Sequence, residues 1–332
     1  MPTPSLMQVL ILETENAPFR LTEIPVPVPG PDQVLVRIQA SGLNPLDAKI
    51  RAGAAAHARH PAPAILGLDL AGTVAAVGPG VERFRPGDAV YGMTGGVGGV
   101  PGTLSEYAAV DAALLAPKPA NLSMRQAAAL PLIIITAWEG LVDRAHIARG
   151  QKVLVQGGAG NVGHVAVQIA RAFGADVFAT ERGGQGDFIR SLGATPIDSR
   201  SETTEAAVAR YTGGKGFDLV YDTAGGALLD ASFAAVRRFG HVVSCLGWGS
   251  HSLAPLSFKA ASYSGVFTLL PLLTGEGRAR HGEILAEAAA LAEAGQLVPH
   301  VDPREFGLAD IEAAYDALTS RQAAGKLVVT IA

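Results

Sequence analysis

The chain contains very little cysteine and no excess of positive charge. Cys245 is the only cysteine in 332 residues. A single thiol excludes an internal disulfide, and it excludes a zinc site built from several cysteines. Lysine and arginine together number 26, against 30 aspartate and glutamate residues, which gives a net charge of −4 at pH 7. Binding to a nucleic-acid backbone needs a positive surface, so we predict no nucleic-acid partner.

Long apolar runs are also missing. The longest run in mid-chain, at residues 127–138, is shorter than the roughly 20 residues that a membrane-spanning helix needs. The first residues show neither the charged region nor the apolar run of a signal peptide. We therefore expect a cytoplasmic protein with no membrane partner. Hydrophobic residues still make up 48% of the chain, which is enough to fill the cores of two domains.

Glycine is plentiful, and its most informative use lies near the centre of the chain. Three glycines have the spacing G-x-G-x-x-G, between an apolar strand at residues 153–155 and an amphipathic helix that begins near Val162. Such a turn lets the backbone approach a pyrophosphate, and the free N–H groups of the helix favour its negative charge. We therefore predict a dinucleotide site at Gly158, Gly160, Asn161, Val162 and Gly163.

The next strand, residues 177–180, ends in an acidic residue, Glu181. It follows the glycines by roughly 20 residues, where a dinucleotide-binding fold places the acid that binds the adenosine ribose. A carboxylate accepts hydrogen bonds from ribose hydroxyls and repels a 2′-phosphate, which favours NADH. Arg182 could instead bind that phosphate through charge-assisted hydrogen bonds. The cofactor is therefore NADH or NADPH, and the sequence favours NADH.

Strand and helix patterns divide the chain into a β-rich first third and an alternating remainder. Proline and glycine turns separate the predicted early strands, which lie at residues 7–12, 33–40, 70–77, 89–91 and 105–110. A helical pattern begins at Ser123, a plausible N-cap. Strands at 153–155, 177–180, 217–221 and 241–246 then alternate with helices, which predicts a doubly wound parallel sheet. Two further helices, at 283–294 and 308–318, precede a final strand at 326–331.

Several motifs recur in a fixed order along the chain: Asn44-Pro45-Leu46-Asp47 within residues 40–49, and residues 67–74, 87–92, 127–131, 136–138, 156–163 and 325–329. Together they resemble one known family, the quinone oxidoreductase branch of the medium-chain dehydrogenase/reductase superfamily. The resemblance implies an α/β plus β fold, in which a Rossmann domain with a doubly wound parallel sheet is inserted into a catalytic domain with a GroES-like β-barrel.

The resemblance also implies an order of domains and a partner. The GroES-like catalytic domain would span residues 1–122, the Rossmann domain 123–260, and a return segment that completes the catalytic domain 261–332. The active site would lie in the cleft between the two domains. A homodimer formed through the Rossmann domains is the implied assembly.

Many members of the superfamily are zinc alcohol dehydrogenases, and the resemblance places their cysteine ligand at Asn44 and their histidine ligand at Leu68. Leucine has no donor atom, and an asparagine amide is a poor ligand for zinc. A zinc site rebuilt from His57, His60 and a carboxylate is the alternative. We predict a metal-free enzyme, with no zinc.

Loss of zinc limits the substrates, because zinc stabilises the alkoxide during alcohol oxidation. Acceptors that stabilise negative charge themselves stay feasible. We therefore expect NAD(P)H-dependent hydride transfer to a quinone or to an activated C=C bond of an α,β-unsaturated carbonyl. One alternative is a 2-enoyl thioester reductase, which would need a basic entrance for a phosphorylated carrier. The other is a cofactor-binding protein without turnover that binds a partner.

Four residues are candidates for the chemistry. The resemblance directs the Asn44 amide toward the nicotinamide or the acceptor carbonyl, unless Asn44-Pro45 only caps the following helix. Asp47 and Lys49 could orient the substrate or relay a proton, or they could form a structural or solvated ion pair. Tyr91 is a possible proton donor, although a tyrosine at the end of a strand more often serves packing.

Three further residues are expected at the cofactor. Thr136 matches a family position beside the nicotinamide. Gly247 follows a predicted strand, where backbone approaches a cofactor closely at the carboxyl edge of a parallel sheet. Lys326, in the C-terminal motif at residues 325–329, is the third predicted cofactor-binding residue.

Overall fold

The computed structural model describes residues 3–331, which divide into two units. The first unit contains the chain up to Leu132, Leu269–Ala294 and the residues from Pro299 onward. The second unit contains Ile133–Thr268 and Gly295–Val298. The polypeptide thus leaves the first unit and later returns to it. The domain boundaries expected after residues 122 and 260 stay predictions.

The strands of both units follow the predicted apolar patterns, with several additions. They are β1 (Leu6–Leu12), β2 (Phe19–Pro25), β3 (Gln33–Gly42), β4 (Asp69–Val77), β5 (Ala89–Met93), β6 (Tyr107–Asp111), β7 (Leu115–Pro117), β8 (Lys152–Gln156), β9 (Asp176–Glu181), β10 (Thr195–Asp198), β11 (Phe217–Asp222), β12 (Val236–Ser244), β13 (Ser262–Gly265) and β14 (Val328–Thr330).

The helices are mostly short. They are α1 (Pro45–Arg51), α2 (Met124–Ala128), α3 (Pro131–Trp138), α4 (Asn161–Ala172), α5 (Gly186–Ser191), α6 (Thr204–Thr212), α7 (Ala227–Ala235), α8 (Ala254–Ser257), α9 (Leu270–Thr274), α10 (Arg278–Glu293) and α11 (Ile311–Thr319). A π-helix, Glu139–Arg144, follows α3. Within residues 3–331, no helix combines the length and the apolar character that crossing a membrane requires.

The first unit is built on an antiparallel sheet in the order β14-β3-β4-β5-β7, with β6 paired to β3. Alternate residues of β3, namely Val34, Val36 and Ile38, enter one buried cluster with Leu70 and Val74 of β4. This alternation is what a strand with one face on a core requires. The β1–β2 hairpin forms a separate two-stranded sheet. The predicted β-rich character of this part is confirmed.

The second unit is built on a parallel sheet in the order β10-β9-β8-β11-β12-β13. Every neighbouring pair in this sheet is parallel. The apolar strands β8 and β11 lie at its centre, and their residues Leu154 and Val220 are buried in the core. The predicted doubly wound parallel sheet is confirmed. Since neighbouring strands run in the same direction, their carboxyl ends lie at one edge, where such sheets bind ligands.

Candidate functional site

The glycine turn after β8 is shaped by close contacts that exclude side chains. A Cβ atom on Gly158 would lie 2.4 Å from the Cβ of Ala179, and one on Gly163 would lie 2.1 Å from the carbonyl oxygen of Gly157. A Cβ on Gly160 would meet nothing closer than 3.3 Å. Packing therefore requires glycine at Gly158 and Gly163, while a Cβ on Gly160 would meet only one atom, the carbonyl oxygen of Gly157.

Helix α4 begins directly after this turn without a side-chain cap. Gly160 is its N-cap residue and has no side chain that could accept a hydrogen bond. The N–H groups of the first turn, at Asn161, Val162 and Gly163, are therefore left for water or a ligand. An uncapped helix N-terminus beside a glycine turn fits the diphosphate of a dinucleotide.

The end of β9 carries Glu181, which is 6% exposed. Its Oε2 accepts a hydrogen bond from the backbone N–H of Gln185 at 3.0 Å. Its carbonyl oxygen accepts from the N–H and the Oγ of Ser199, at 2.9 and 2.7 Å. Arg182 follows and is exposed. The acid is thus held at the carboxyl end of a strand next to β8, the position that a ribose-binding acid occupies.

Two more predicted cofactor residues lie in this second unit. Thr136, in α3, is buried, and its carbonyl oxygen accepts a hydrogen bond from the Tyr221 hydroxyl at 2.6 Å. Gly247 follows β12, and a Cβ there would lie 2.2 Å from the Tyr263 hydroxyl. The second unit therefore contains every predicted cofactor residue except Lys326, which lies in the first unit.

The first unit contains a buried polar cluster formed by Asn44, Asp47, Asp69 and Lys326, none of which is more than 1% exposed. The Asn44 Nδ2 donates to Asp69 Oδ2 at 2.9 Å. The Lys326 ammonium donates to Asn44 Oδ1, and it lies 3.4 Å from Asp69 Oδ2. The second carboxylate oxygen of Asp69 accepts from the N–H of Leu132 at 2.9 Å. We call these four residues the buried cluster.

Adjacent strands bring the buried cluster together. Asp69 is the first residue of β4 and pairs with Gly42 at the end of β3, two residues before Asn44. Gly42 also pairs with Val328 of β14, which places Lys326 at the same end of the sheet. Asn44 precedes α1, but its side chain bonds to the cluster, so helix capping alone does not account for it.

Burial dominates the electrostatics of the cluster. It raises the pKa of Asp47 to about 7, with the charge of Asp69 adding to the rise. Burial also raises the pKa of Asp69, against the attraction of Lys326, and it lowers the pKa of the Lys326 ammonium. Two carboxylates and one ammonium would leave one net negative charge inside the unit, which is costly in a low-dielectric interior. The cluster therefore tends to hold one extra proton near neutral pH.

Asp47 is the natural place for that proton. Its Oδ2 accepts a hydrogen bond from the N–H of Asn44 at 2.7 Å. Its Oδ1 is buried and has no hydrogen-bond partner among residues 3–331. A protonated Oδ1 avoids placing an unpaired negative charge there.

The other two predicted catalytic residues lie apart from this cluster. Lys49 is exposed on α1. Tyr91 is fully buried, and its hydroxyl donates to the carbonyl of Leu285 at 2.6 Å. Burial raises the pKa of Tyr91, so its proton is held more firmly than in water. These contacts favour packing over proton donation for Tyr91.

The donor atoms at the former ligand positions do not fit zinc. Leu68 is buried and offers none, and both polar atoms of the Asn44 side chain are used within the buried cluster. A metal cation there would have to displace the Lys326 ammonium. His60, from the alternative site, bonds through Nε2 to the carbonyl of Ile65 at 3.0 Å. Residues 3–331 contain no group of three or more histidine, cysteine or acidic side chains that could hold a metal.

Sequence reasoning assigned no role to Asp69 and a different one to Lys326. The sequence offered one signal for Asp69, because it directly follows Leu68, where the resemblance places a zinc ligand. The available signal for Lys326 was its place in the C-terminal motif. Neither signal shows that the two side chains meet.

Known proteins resemble this chain along its length. The zinc-binding dehydrogenase family matches residues 192–329, and the alcohol dehydrogenase GroES-like domain matches residues 30–120. NorB, a spectinabilin polyketide synthase system protein of Streptomyces orinoci, is 38% identical over 302 residues, which cover 91% of this chain and 13% of NorB. The NADPH-dependent alkenal/one oxidoreductase, chloroplastic, of Arabidopsis thaliana is 35% identical over 93% of this chain and 74% of its own.

Solved structures agree with these matches. The crystal structure of an alcohol dehydrogenase superfamily protein from Novosphingobium aromaticivorans has a TM-score of 0.96 and 62% identity to this chain. The similarity covers 98% of this chain and 100% of that one. With the GroES-like match, it confirms the predicted combination of folds.

Proposed function

The chain belongs to the medium-chain dehydrogenase/reductase superfamily, in its branch of quinone and enone oxidoreductases, and on this premise we propose that it works without a metal. It transfers hydride from NAD(P)H to a quinone or to the C=C bond of an α,β-unsaturated carbonyl. The observation that carries the proposal is the Lys326 ammonium, which bonds to Asn44 and Asp69 beside the positions where the resemblance places the zinc ligands.

The second unit would bind the cofactor. When bound, NAD(P)H supplies the hydride. Residues 158–163 would hold its diphosphate through backbone N–H groups, and Glu181 would lie at the adenosine ribose. Thr136 and Gly247 would lie at the nicotinamide end. The name of the Arabidopsis relative supports a nicotinamide cofactor and a conjugated acceptor.

The first unit would supply polar groups rather than a Lewis acid. Asp69 and Lys326 fix the Asn44 amide from both sides, so this side chain is pre-oriented before any substrate arrives. Hydride transfer to an enone or quinone leaves an anion that must take up a proton. Asp47, whose pKa lies at about 7, can hold or give up a proton near neutral pH, which suits a proton relay.

A second candidate acceptor is a 2-enoyl thioester, because the crystal structure of CurK enoyl reductase is similar to this chain, with a TM-score of 0.84 and 28% identity. Its C=C bond is conjugated to a carbonyl, so the same residues would serve the same hydride transfer. Only the shape and charge of the substrate entrance would differ.

We also propose that the protein is a homodimer in the cytoplasm. Strand β13 ends the parallel sheet and has β12 as its only strand partner within residues 3–331. Trp248 and Phe258 in the same unit are 56% and 87% exposed. An open sheet edge with exposed aromatics supports pairing with a second copy. The single thiol, Cys245, supports a reducing compartment.

The test is oxidation of NADH and of NADPH, followed by absorbance of the reduced nicotinamide, with quinones, enones and 2-enoyl thioesters as acceptors. We expect turnover with at least one conjugated acceptor and none with a saturated ketone. Turnover of simple alcohols after addition of zinc would contradict the metal-free proposal. Binding of NAD(P)H, seen as thermal stabilisation, without oxidation by any acceptor would support a non-catalytic cofactor-binding protein instead.

A further inference from the structure

Helix α11 packs against α1 in the first unit, and it carries a buried tyrosine, Tyr315. This side chain is 1% exposed, and its hydroxyl has no hydrogen-bond partner among residues 3–331. A buried hydroxyl without a hydrogen bond destabilises the folded chain. Phenylalanine would serve packing equally well, so the Tyr315 hydroxyl calls for a partner.

Two side chains hold the Tyr315 ring, and a third supports them. The centroid of the Phe19 ring lies 4.9 Å from that of Tyr315, and the Arg51 guanidinium lies 5.4 Å from the Tyr315 centroid. Glu312 fixes both neighbours, because one of its carboxylate oxygens accepts from Arg51 at 2.7 Å and the other accepts the N–H of Phe19 at 2.8 Å. These contacts fix the ring and give the hydroxyl no partner.

A second buried polar atom without a partner belongs to Asp47. Asp47 lies on α1 one turn before Arg51, so the two side chains lie on the same face of the helix, and Arg51 contacts Tyr315. Like the Tyr315 hydroxyl, Asp47 Oδ1 has no hydrogen-bond partner in the part of the chain that the structure describes. Burial raises the pKa of Tyr315, and the charge of Asp47 adds to the rise, so the two groups lie within electrostatic reach of each other.

We propose that one water molecule joins the Tyr315 hydroxyl to Asp47 Oδ1, and that Tyr315 is thereby a positioning residue for the Asp47 proton. A buried water needs at least two polar partners, and these two side chains supply them. The part of this proton in turnover rests on the proposed function, whereas the water bridge needs only the two side chains.

The water bridge suits both protonation states of Asp47, because a hydroxyl and a water can each donate and accept. When Oδ1 carries the proton, it donates to the water, and the water donates to the Tyr315 oxygen. When Asp47 is ionised, the Tyr315 O–H donates to the water and the water donates to Oδ1. The second arrangement ends on a charged acceptor and is therefore the stronger one. The water bridge thus favours the ionised carboxylate, so that Asp47 gives up its proton more readily than it would without the tyrosine.

Charged groups act on both ends of the water bridge. In the buried cluster, Asp69 raises the pKa of Asp47 and Lys326 lowers it. At the other end, Arg51 lowers the pKa of the tyrosine and Glu312 raises it. Burial is the largest influence on the tyrosine and raises its pKa well above the usual value, so it stays a neutral donor while Asp47 titrates. Removing the tyrosine hydroxyl leaves all four charged groups in place.

Infrared titration of the full chain tests the water bridge. The signal is the carbonyl stretch of the protonated Asp47 carboxyl, assigned by its absence in Asp47→Asn, and in the wild type it should disappear with a midpoint at about pH 7. Tyr315→Phe keeps the ring and removes the hydroxyl, so it should raise this midpoint by about one pH unit.

The same variant should shift the pH profile of turnover. If protonated Asp47 supplies a proton, kcat/KM falls as the pH rises through the pKa of Asp47. In Tyr315→Phe that fall should move up by about one pH unit, while the KM for the acceptor stays within about twofold of the wild type. A purely structural role of the hydroxyl would move neither the midpoint nor the profile.

Tyr107→Phe is the matched control. Tyr107 is also buried in the first unit, but it packs with Met7, Val9 and Leu35 in a separate apolar cluster. This variant should leave the infrared midpoint unchanged. An unchanged midpoint in Tyr315→Phe would overturn the water bridge. A high-resolution crystal structure of the wild type without a water in hydrogen-bond contact with both Tyr315 Oη and Asp47 Oδ1 would also overturn it. Either result leaves the proposed function standing, which fails instead if the wild type oxidises NAD(P)H with no conjugated acceptor.

Discussion

Replacing Asp47 with asparagine tests whether the buried cluster stores a proton. Burial raises the pKa of this carboxyl from 3.8 to about 7. The folded chain thus holds the proton more tightly than the unfolded chain does. The resulting stabilisation is fully present below pH 3.8 and is lost as the pH rises through 7. A difference of about three pKa units corresponds to about 4 kcal/mol.

The amide of the Asp47→Asn variant does not titrate, so the unfolding free energy of this variant should lack the fall with rising pH that Asp47 causes in the wild type. Between about pH 4 and pH 8, the unfolding free energy of the wild type should fall relative to that of Asp47→Asn by about 4 kcal/mol. Thermal unfolding followed by circular dichroism at several pH values measures the trend. Hydrogen exchange of peptides from β3 and β4 shows whether the pH-dependent change in stability lies in the first unit.

Asp302→Asn provides a control of opposite sign in the same unit. Its hydrogen bonds from Arg304 lower the pKa of Asp302 to about 2, so that its contribution is lost only as the pH falls through 2. Asp302→Asn should therefore shift stability by a nearly constant amount between about pH 4 and pH 8. If the unfolding free energies of Asp47→Asn and the wild type change in parallel with pH over this range, Asp47 does not hold a proton near neutral pH.

Lys326→Met should destabilise the first unit by about 3–5 kcal/mol at about pH 8, because it leaves the Asp69 carboxylate buried without its cation. Combining it with Asp69→Asn should restore part of the lost stability, measured by hydrogen exchange in the first unit. If the destabilising effects of the two substitutions simply add, the two side chains do not interact. In the second unit, Gly163→Ala should cost about 3 kcal/mol through overpacking, measured by chemical unfolding. Gly160→Ala should lower the melting temperature less than Gly163→Ala does, because its Cβ would lie 3.3 Å rather than 2.1 Å from the Gly157 carbonyl oxygen, but it should abolish the thermal shift on adding NAD(P)H. An unchanged shift in Gly160→Ala would place the diphosphate elsewhere.

The sequence predicted those elements whose signal is local. The β8 strand, the glycine turn and α4 follow one another without a break, and each has a clear pattern. Ser123 was also recognisable as an N-cap, and its Oγ accepts the N–H of Gln126 in the structure. These features depend on neighbours in sequence, so a single chain suffices to predict them.

Elements that depend on distant partners were missed. Strand β2 is mostly exposed, and it is held in place by antiparallel pairing with β1 along its whole length. The short polar strand β13 exists because it pairs with β12 at the sheet edge. The π-helix at Glu139–Arg144 has no marker in the sequence. In each case tertiary contacts override local preference.

The candidate site shows the same division. Asn44 and Asp47 belong to one short motif, and the sequence indicated both. Lys326 lies 282 residues from Asn44, so their hydrogen bond could not be predicted from spacing.

Transfer of deuterium from labelled cofactor tests the central claim most directly. NADH and NADPH carrying deuterium on one or the other face of the nicotinamide C4 would be incubated with an enone or a quinone, and the product analysed by mass spectrometry and NMR. We predict a reduced enone with one deuterium on the β-carbon, from one face of the cofactor only, with the α-carbon proton coming from solvent. A reduced enone without deuterium from either face, or no reduced product from any acceptor while the cofactor binds, would contradict hydride transfer by this protein.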